Sequence, residues 1–152
     1  MPIHFSDLNI NKALLNALED IGFDTPTPIQ EASFPKLLSG KNVVGIAQTG
    51  TGKTLAYLLP VLNDLKFSKS VKPRVLIVVP TRELVIQVVE QVELLTKYMT
   101  VRVLGVYGGV NINTQKIALA EGVDVLEYTA LTGTGLLNTA ISKSSLLFLK
   151  PT

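Results

Sequence analysis

The run Ala47-Gln48-Thr49-Gly50-Thr51-Gly52-Lys53-Thr54 gathers the residue types that can hold a polyphosphate. Gly50 and Gly52 let backbone N–H groups approach an anion with no Cβ in the way. Lys53 supplies an ammonium for the β- and γ-phosphates, and Thr54 a hydroxyl for Mg²⁺. The spacing is that of a phosphate-binding loop (P-loop), with Ala47 where the first glycine usually stands. Such a loop works between a strand and a helix, because the helix N-terminus adds its free N–H groups and the positive end of its dipole. Apolar Val43-Val44-Gly45-Ile46 predicts a buried strand before the loop, and Leu55 to Leu65 a helix after it. Thr49, Gly50, Thr51, Gly52, Lys53 and Thr54 are therefore the residues expected to hold a nucleoside triphosphate and its Mg²⁺.

A second constellation, Phe23-Asp24-Thr25-Pro26-Thr27-Pro28-Ile29-Gln30, precedes the loop. One reading is purely structural: Thr27 as N-cap, Pro28 at the first helical position and Gln30 three residues on form a capping box. The other is that the Gln30 amide, with donor and acceptor side by side, reads the N6/N7 edge of adenine. Further on stand Pro80-Thr81-Arg82-Glu83-Leu84 and Gly108-Gly109. Backbone amides at a helix start and the Arg82 guanidinium suit phosphate oxygens. Equally, Thr81 can cap a helix and the glycine pair can turn the chain.

The elements that must position these residues follow from periodicity. A helix is expected from Asn11 to Ile21 with Gly22 as its stop, and another from Ile29 to Leu38 closed by Gly40. Val75 to Val79 predicts a buried strand, Arg82 to Tyr98 a helix, and Val101 to Tyr107 a strand. Asn113 to Glu121 predicts a helix, Val123 to Leu126 a short strand, and Ser145 to Leu149 a possible further one. Alternating strands and helices predict an α/β fold with a mostly parallel sheet flanked by helices, and ligands at the carboxyl ends of the strands. The P-loop, Pro80 to Arg82 and Gly108-Gly109 all fall at such ends.

Composition sets the outer bounds. The 152 residues suit one domain, and 47% hydrophobic against 17% charged residues fits strands buried on both faces. No apolar run approaches the ~18 residues of a membrane span, and the first residues lack the basic and apolar regions of a signal peptide. A cytoplasmic location is the expectation. There is no cysteine, so thiolate metal sites and disulfides are excluded, and the single histidine, His4, reads as a surface residue. The net charge of +2 makes no case for nucleic acid by itself. Lys66, Lys69, Lys72 and Arg74 read as a solvated loop.

Taken in order, Gly22 to Gln30, the P-loop at 47–54, Pro80 to Leu84 and Gly108-Gly109 resemble the motifs of a DEAD-box RNA helicase of bacterial type. The likeness runs from Phe5 to about Leu126, the front of the first RecA-like domain. It implies that Gln30 selects adenine, that Phe23 stacks on the base with Thr25 beside it, and that Phe5 packs behind them. It implies ATP and Mg²⁺ at Thr49 to Thr54. It implies sequence-independent contacts to the RNA backbone from Pro80, Thr81, Arg82, Glu83, Gly108 and Gly109. The domain expectation is residues 1–126 as this front part and 127–152 as a divergent tail.

The chain departs from the family after Asp124-Val125-Leu126. Glu127-Tyr128-Thr129-Ala130 stand where a Thr-Pro-Gly-Arg segment is expected. The strand-like Leu146 to Leu149 runs into Lys150-Pro151-Thr152 rather than Asp-Glu-Ala-Asp. The serine–alanine–threonine motif and a second RecA-like domain do not follow. An internal deletion in a full helicase would account for this, and an unbroken parent reading frame for these 152 residues would reject it. With no acidic residue beyond Glu127, neither the second Mg²⁺ ligand nor a group to position the attacking water is supplied. Three functions stay open: an ATP-binding helicase fragment, a non-catalytic nucleotide or RNA binder, and a P-loop ATPase or kinase unrelated to RNA.

Overall fold

The computed structural model describes residues 3–129 and the backbone of 145–148. Two compact units emerge, Met1–Lys66 with Leu94–Met99, and Phe67–Glu93 with Thr100–Thr152.

The first unit is helical. After a 3-10 turn at Phe5–Asp7 comes α1, Lys12–Ile21. Its ends follow from local chemistry: the Asn11 side chain accepts from Leu14 N–H at 3.0 Å, and Gly22 takes up the left-handed conformation at φ 82°. Leu14, Ala17 and Leu18, at i, i+3 and i+4, form its buried stripe. The second helix, α2, spans Pro28–Leu38, and α3 spans Lys53–Asp64. Ser33 on α2 donates to the Ala56 carbonyl of α3 at 3.0 Å, so the two helices meet through a buried hydroxyl as well as through apolar surface. Leu58, Leu59 and Leu62 are buried on α3. Asn63 at its end accepts from Asn11 N–H and donates to the Asn9 carbonyl, tying α3 to the start of α1. Asp20 receives hydrogen bonds from Lys97 Nζ and the Tyr98 hydroxyl on the returning segment.

The second unit carries the sheet. Strands β1 (Val75–Val79), β2 (Val103–Val106), β3 (Val125–Thr129) and β4 (Ser145–Phe148) pair all-parallel in the order β2-β3-β1-β4. Parallel neighbours require crossovers, supplied by α4 (Arg82–Leu95, its last two residues in the first unit) and α5 (Ile112–Glu121). Helix α4 stops at Leu95 rather than Tyr98 because the chain tightens there, with Met99 N–H donating to the Thr96 carbonyl at 2.8 Å.

Each face of the sheet has its own packing. Leu76, Val106, Val123, Leu126 and Tyr128 form one cluster, with Leu119 of α5 against it. On the other face Ile77, Glu127 and Gly105 stand in register on β1, β3 and β2. A Cβ on Gly105 would lie 2.7 Å from Val85 Cγ1 and 3.0 Å from Val89 Cγ2, so this glycine lets α4 sit close on the strand.

One predicted element is absent. Residues 43–46 join no ladder, and Val44 and Ile46 are 90% and 83% exposed. A strand buried on both faces needs neighbours along its edges, and among the described residues the four paired strands are all drawn from positions 75 to 148. Apolar sequence supplied the tendency but no partner for its backbone.

Candidate functional site

The loop at 47–52 delivers the chain into α3 through two left-handed glycines, Gly50 at φ 82° and Gly52 at φ 80°. Gly52 is the N-cap of α3, and its carbonyl accepts from Ala56 N–H at 3.1 Å. Thr51 Oγ1 donates to the Gln48 carbonyl at 2.7 Å, closing the loop on itself. Lys53 Nζ donates to the Ala47 carbonyl at 2.5 Å, so the ammonium bridges the mouth of the loop. Thr54 follows in the first turn of α3, half-buried. Free helix N–H groups, the dipole and one ammonium thus converge where an anion would sit.

Gln30 belongs to the same assembly. Its Oε1 accepts from Thr27 N–H at 3.0 Å, the back-reaching half of a capping box, so the structural reading of this motif holds. Its Nε2 donates to the Gly52 carbonyl at 3.0 Å, across 22 positions of sequence. A Cβ on Gly52 would come within 2.3 Å of that nitrogen, so a side chain there would push the Gln30 amide off the loop, and the left-handed φ is what calls for glycine. One lone pair and one N–H of the amide are left over, the complement of an adenine N6/N7 edge.

Phe23 and Thr25, by contrast, are exposed on the connection between α1 and α2. Phe5, 3% exposed, donates its N–H to the Asp24 carbonyl at 3.0 Å and pins that connection from behind. A cleft of about 450 Å³ lies beside the loop between α2 and residues 43–47. It shares Ala47 and Thr51 with the loop, but Lys53 and Gly50 do not line it, so it is separate from the anion position.

In the second unit, Pro80 to Glu83 lie at the carboxyl end of β1. Thr81 Oγ1 accepts from Leu84 N–H at 3.2 Å and caps α4, the bland role open to it. Arg82 reaches toward the glycine turn: its Cζ lies 5.0 Å from the centroid of the Tyr107 ring. A Cβ on Gly109, at φ 85°, would be 3.2 Å from an Arg82 guanidinium nitrogen. The Pro80–Glu83 and Gly108–Gly109 motifs are therefore neighbours. Tyr107 and Gln115, whose Nε2 donates to the Tyr107 carbonyl at 3.0 Å, are members of this corner that periodicity did not single out. An aromatic directly before a glycine pair was the available signal.

Two acidic residues are engaged elsewhere. Asp124, 2% exposed, accepts from Arg74 at 2.8 Å and from Arg102 at 3.0 Å, at the amino ends of the strands. Burial raises its carboxyl, but hydrogen bonds from Arg102 and Arg74 outweigh that and hold it below the usual range. Glu127 is fully buried on β3 with neither oxygen partnered, and burial, with Glu93 nearby, pushes it up to about 8. Among the described residues no cluster of acidic or histidine side chains could hold a metal by itself.

The model of the DEAD/DEAH box helicase family matches residues 27–147. The chain belongs to the DEAD/DEAH box helicase family. This DEAD/DEAH box chain is 44% identical over 125 residues to the ATP-dependent RNA helicase DeaD of Haemophilus influenzae, covering 82% of the chain and 20% of that protein. It is 42% identical over 123 residues to the Escherichia coli DeaD, covering 80% and 19%. It thus spans about a fifth of the length of these curated relatives. Among solved structures it is similar to a DEAD box protein from the hyperthermophile Methanococcus jannaschii, with a TM-score of 0.77 and 33% identity over 83% of the chain and 34% of that one. It is likewise similar to the RNA-helicase Prp28 from Chaetomium thermophilum bound to ADP, with a TM-score of 0.75 and 34% identity over 84% and 32%. The α/β architecture with its parallel sheet is therefore that of a RecA-like helicase domain.

Proposed function

We propose that residues 1–126 are the front part of the RecA-like ATP-binding domain of an ATP-dependent RNA helicase, with 127–152 a divergent tail. In this reading the loop at 49–54 holds the phosphates of ATP, Lys53 exchanges the Ala47 carbonyl for a β- or γ-phosphate oxygen, and the Thr54 hydroxyl meets Mg²⁺. The metal would supply charge neutralisation along the phosphates. Gln30 takes the adenine edge with its remaining lone pair and N–H, and Phe23 and Thr25 flank the base. The observation that carries this reading is Gly52, left-handed at the head of α3 and fixed through its carbonyl to Gln30. It couples a base-reading amide to a phosphate-reading loop, which a bare helix cap would not need.

Pro80, Thr81, Arg82, Glu83, Gly108 and Gly109 form the RNA-facing part, supported by the adjacency of Arg82 and Gly109. Contacts of this kind carry no base code, so RNA binding is expected to be sequence-tolerant and to weaken with salt along a shallow slope.

A second reading, nucleotide and RNA binding without turnover, has its own support. Asp124 is tied to two arginines, and Glu127 is buried with its carboxyl pushed up to about 8, so neither offers a free carboxylate for Mg²⁺ or water. The isolated chain is accordingly expected to bind ATP and hydrolyse it negligibly. Calorimetric titration with Mg-ATP, on the wild type and on Lys53→Ala, tests the binding. Binding unaltered in Lys53→Ala would remove the site, and RNA-stimulated phosphate release abolished by that substitution would overturn the inactive reading.

A further inference from the structure

We infer that Tyr107 is a positioning residue for RNA, holding the Arg82 guanidinium in place by stacking so that its N–H edge faces a backbone phosphate. This rests on the proposal that Pro80–Glu83 and Gly108–Gly109 meet RNA. Arg82 is exposed in the first turn of α4, and a free arginine there samples many rotamers, each lost on binding. Two ways exist to hold it. A carboxylate would cancel its charge and occupy its N–H fork. A ring face attracts the cation through its quadrupole and leaves the planar edge, with its five donors, unoccupied.

The structure takes the second way. Arg82 Cζ lies 5.0 Å from the Tyr107 centroid, and among the described residues no carboxylate pairs with Arg82. The other two arginines of the chain, Arg74 and Arg102, are both spent on Asp124. Tyr107 is itself anchored, since the buried Gln115 amide donates to its carbonyl. Gly109 leaves room beside the guanidinium: a Cβ there would press on it at 3.2 Å. Ring, cation and glycine turn therefore form one surface at the carboxyl end of the sheet, with an uncancelled charge at its centre.

The test measures binding of a fluorescein-labelled uridine oligomer by anisotropy across a salt series, using the 152-residue chain. Tyr107→Leu is expected to weaken binding by about two- to five-fold, the size of an exposed cation–π contact. It should flatten the salt slope by about one phosphate, as Arg82→Ala does. Tyr107→Phe, which keeps the ring, should match wild type, and the Arg82→Ala, Tyr107→Leu double variant should be no weaker than Arg82→Ala alone. Arg82→Ala weakening binding while Tyr107→Leu does not, or an equal loss from Tyr107→Leu in both backgrounds, overturns the inference and leaves the RNA reading standing. An unaltered affinity in Arg82→Ala sinks the RNA reading itself. NMR on the wild type gives a readout that needs no RNA and no Tyr107 variant: the Arg82 Nε–H resonance, assigned with Arg82→Lys, is expected upfield of those of Arg74 and Arg102 through the ring current. A resonance at the solvated-arginine position would show that the stack does not form.

Discussion

Lys53 and Gln30 each hold the loop by hydrogen bonds within the chain, and each is proposed to meet a ligand as well. Lys53 gives the loop a single hydrogen bond, to the Ala47 carbonyl. Removing it costs stability about 1 kcal/mol or less. A phosphate would instead lose a charge-assisted partner, so Lys53→Ala is expected to weaken Mg-ATP by about tenfold or more, ~1.4 kcal/mol, in calorimetry. A large drop in melting temperature with nucleotide affinity unaltered would show a structural lysine instead. Gln30→Ala removes the bonds to Thr27 N–H and the Gly52 carbonyl together. It is expected to destabilise by about 1–3 kcal/mol in urea denaturation. It should also erase any preference for ATP over GTP. Preference retained in Gln30→Ala would assign base selection elsewhere.

Among the elements, helix ends were the most legible. Asn11, Gly22, Thr27 with Pro28, and Thr81 act within three or four residues of themselves, so sequence spacing contains the whole interaction. Strand β1 was legible too, because a continuous β-branched and leucine run suits a strand covered on both faces. Strand β3 runs from Val125 to Thr129, past its expected end at Leu126, since Glu127 and Tyr128 interrupt the apolar signal but not the backbone ladder. Residues 43–46 carry the same signal and do not pair, since a ladder depends on a partner distant in sequence. The junction of α2 with α3 concentrates at Gly52. Gly52→Ala places a Cβ 2.3 Å from Gln30 Nε2 at φ 80°, so it is expected to cost about 2 kcal/mol or more in chemical denaturation and to abolish nucleotide binding. A variant as stable as wild type would mean that the Gln30 bond to the loop is expendable.

For the molecule as a whole, Glu127 sets a pH dependence. Its carboxyl ionises near 4.5 in an unfolded chain and near 8 when buried on β3. Between those values the native state holds the extra proton, so the contribution of Glu127 is complete below 4.5 and is lost as pH rises toward 8, at up to ~1.4 kcal/mol per unit. Asp124 works in the opposite sense: held low by Arg102 and Arg74, it contributes above the ordinary aspartate range and loses its contribution as pH falls. Urea midpoints across pH are expected to decline from mildly acidic to alkaline conditions in wild type and to stay flat in Glu127→Gln. An undiminished decline in that variant would clear Glu127 of responsibility. Val44 and Ile46 are exposed on a segment that joins no ladder, and self-association through it is the expected consequence. Sedimentation velocity should show concentration-dependent association that Val44→Lys suppresses, and a monomer at all concentrations in wild type would remove the idea.

Local order along the chain determined the glycine loop before α3, the capped helices, the continuous apolar run of β1 and the succession of motifs that marks the family. Each depends on neighbours a few residues away, or on residue types that glycine geometry and amide chemistry make nearly irreplaceable. Only the tertiary structure decided that Gln30 grips the Gly52 carbonyl, that Tyr107 underlies Arg82, that Asp124 is consumed by two arginines and that Glu127 is fully buried on β3. Those pairings join positions up to 50 residues apart in sequence, and no periodicity encodes them. They arise because packing parallel strands against helices brings side chains into one another's reach, and there burial, charge and shape settle what each can still do.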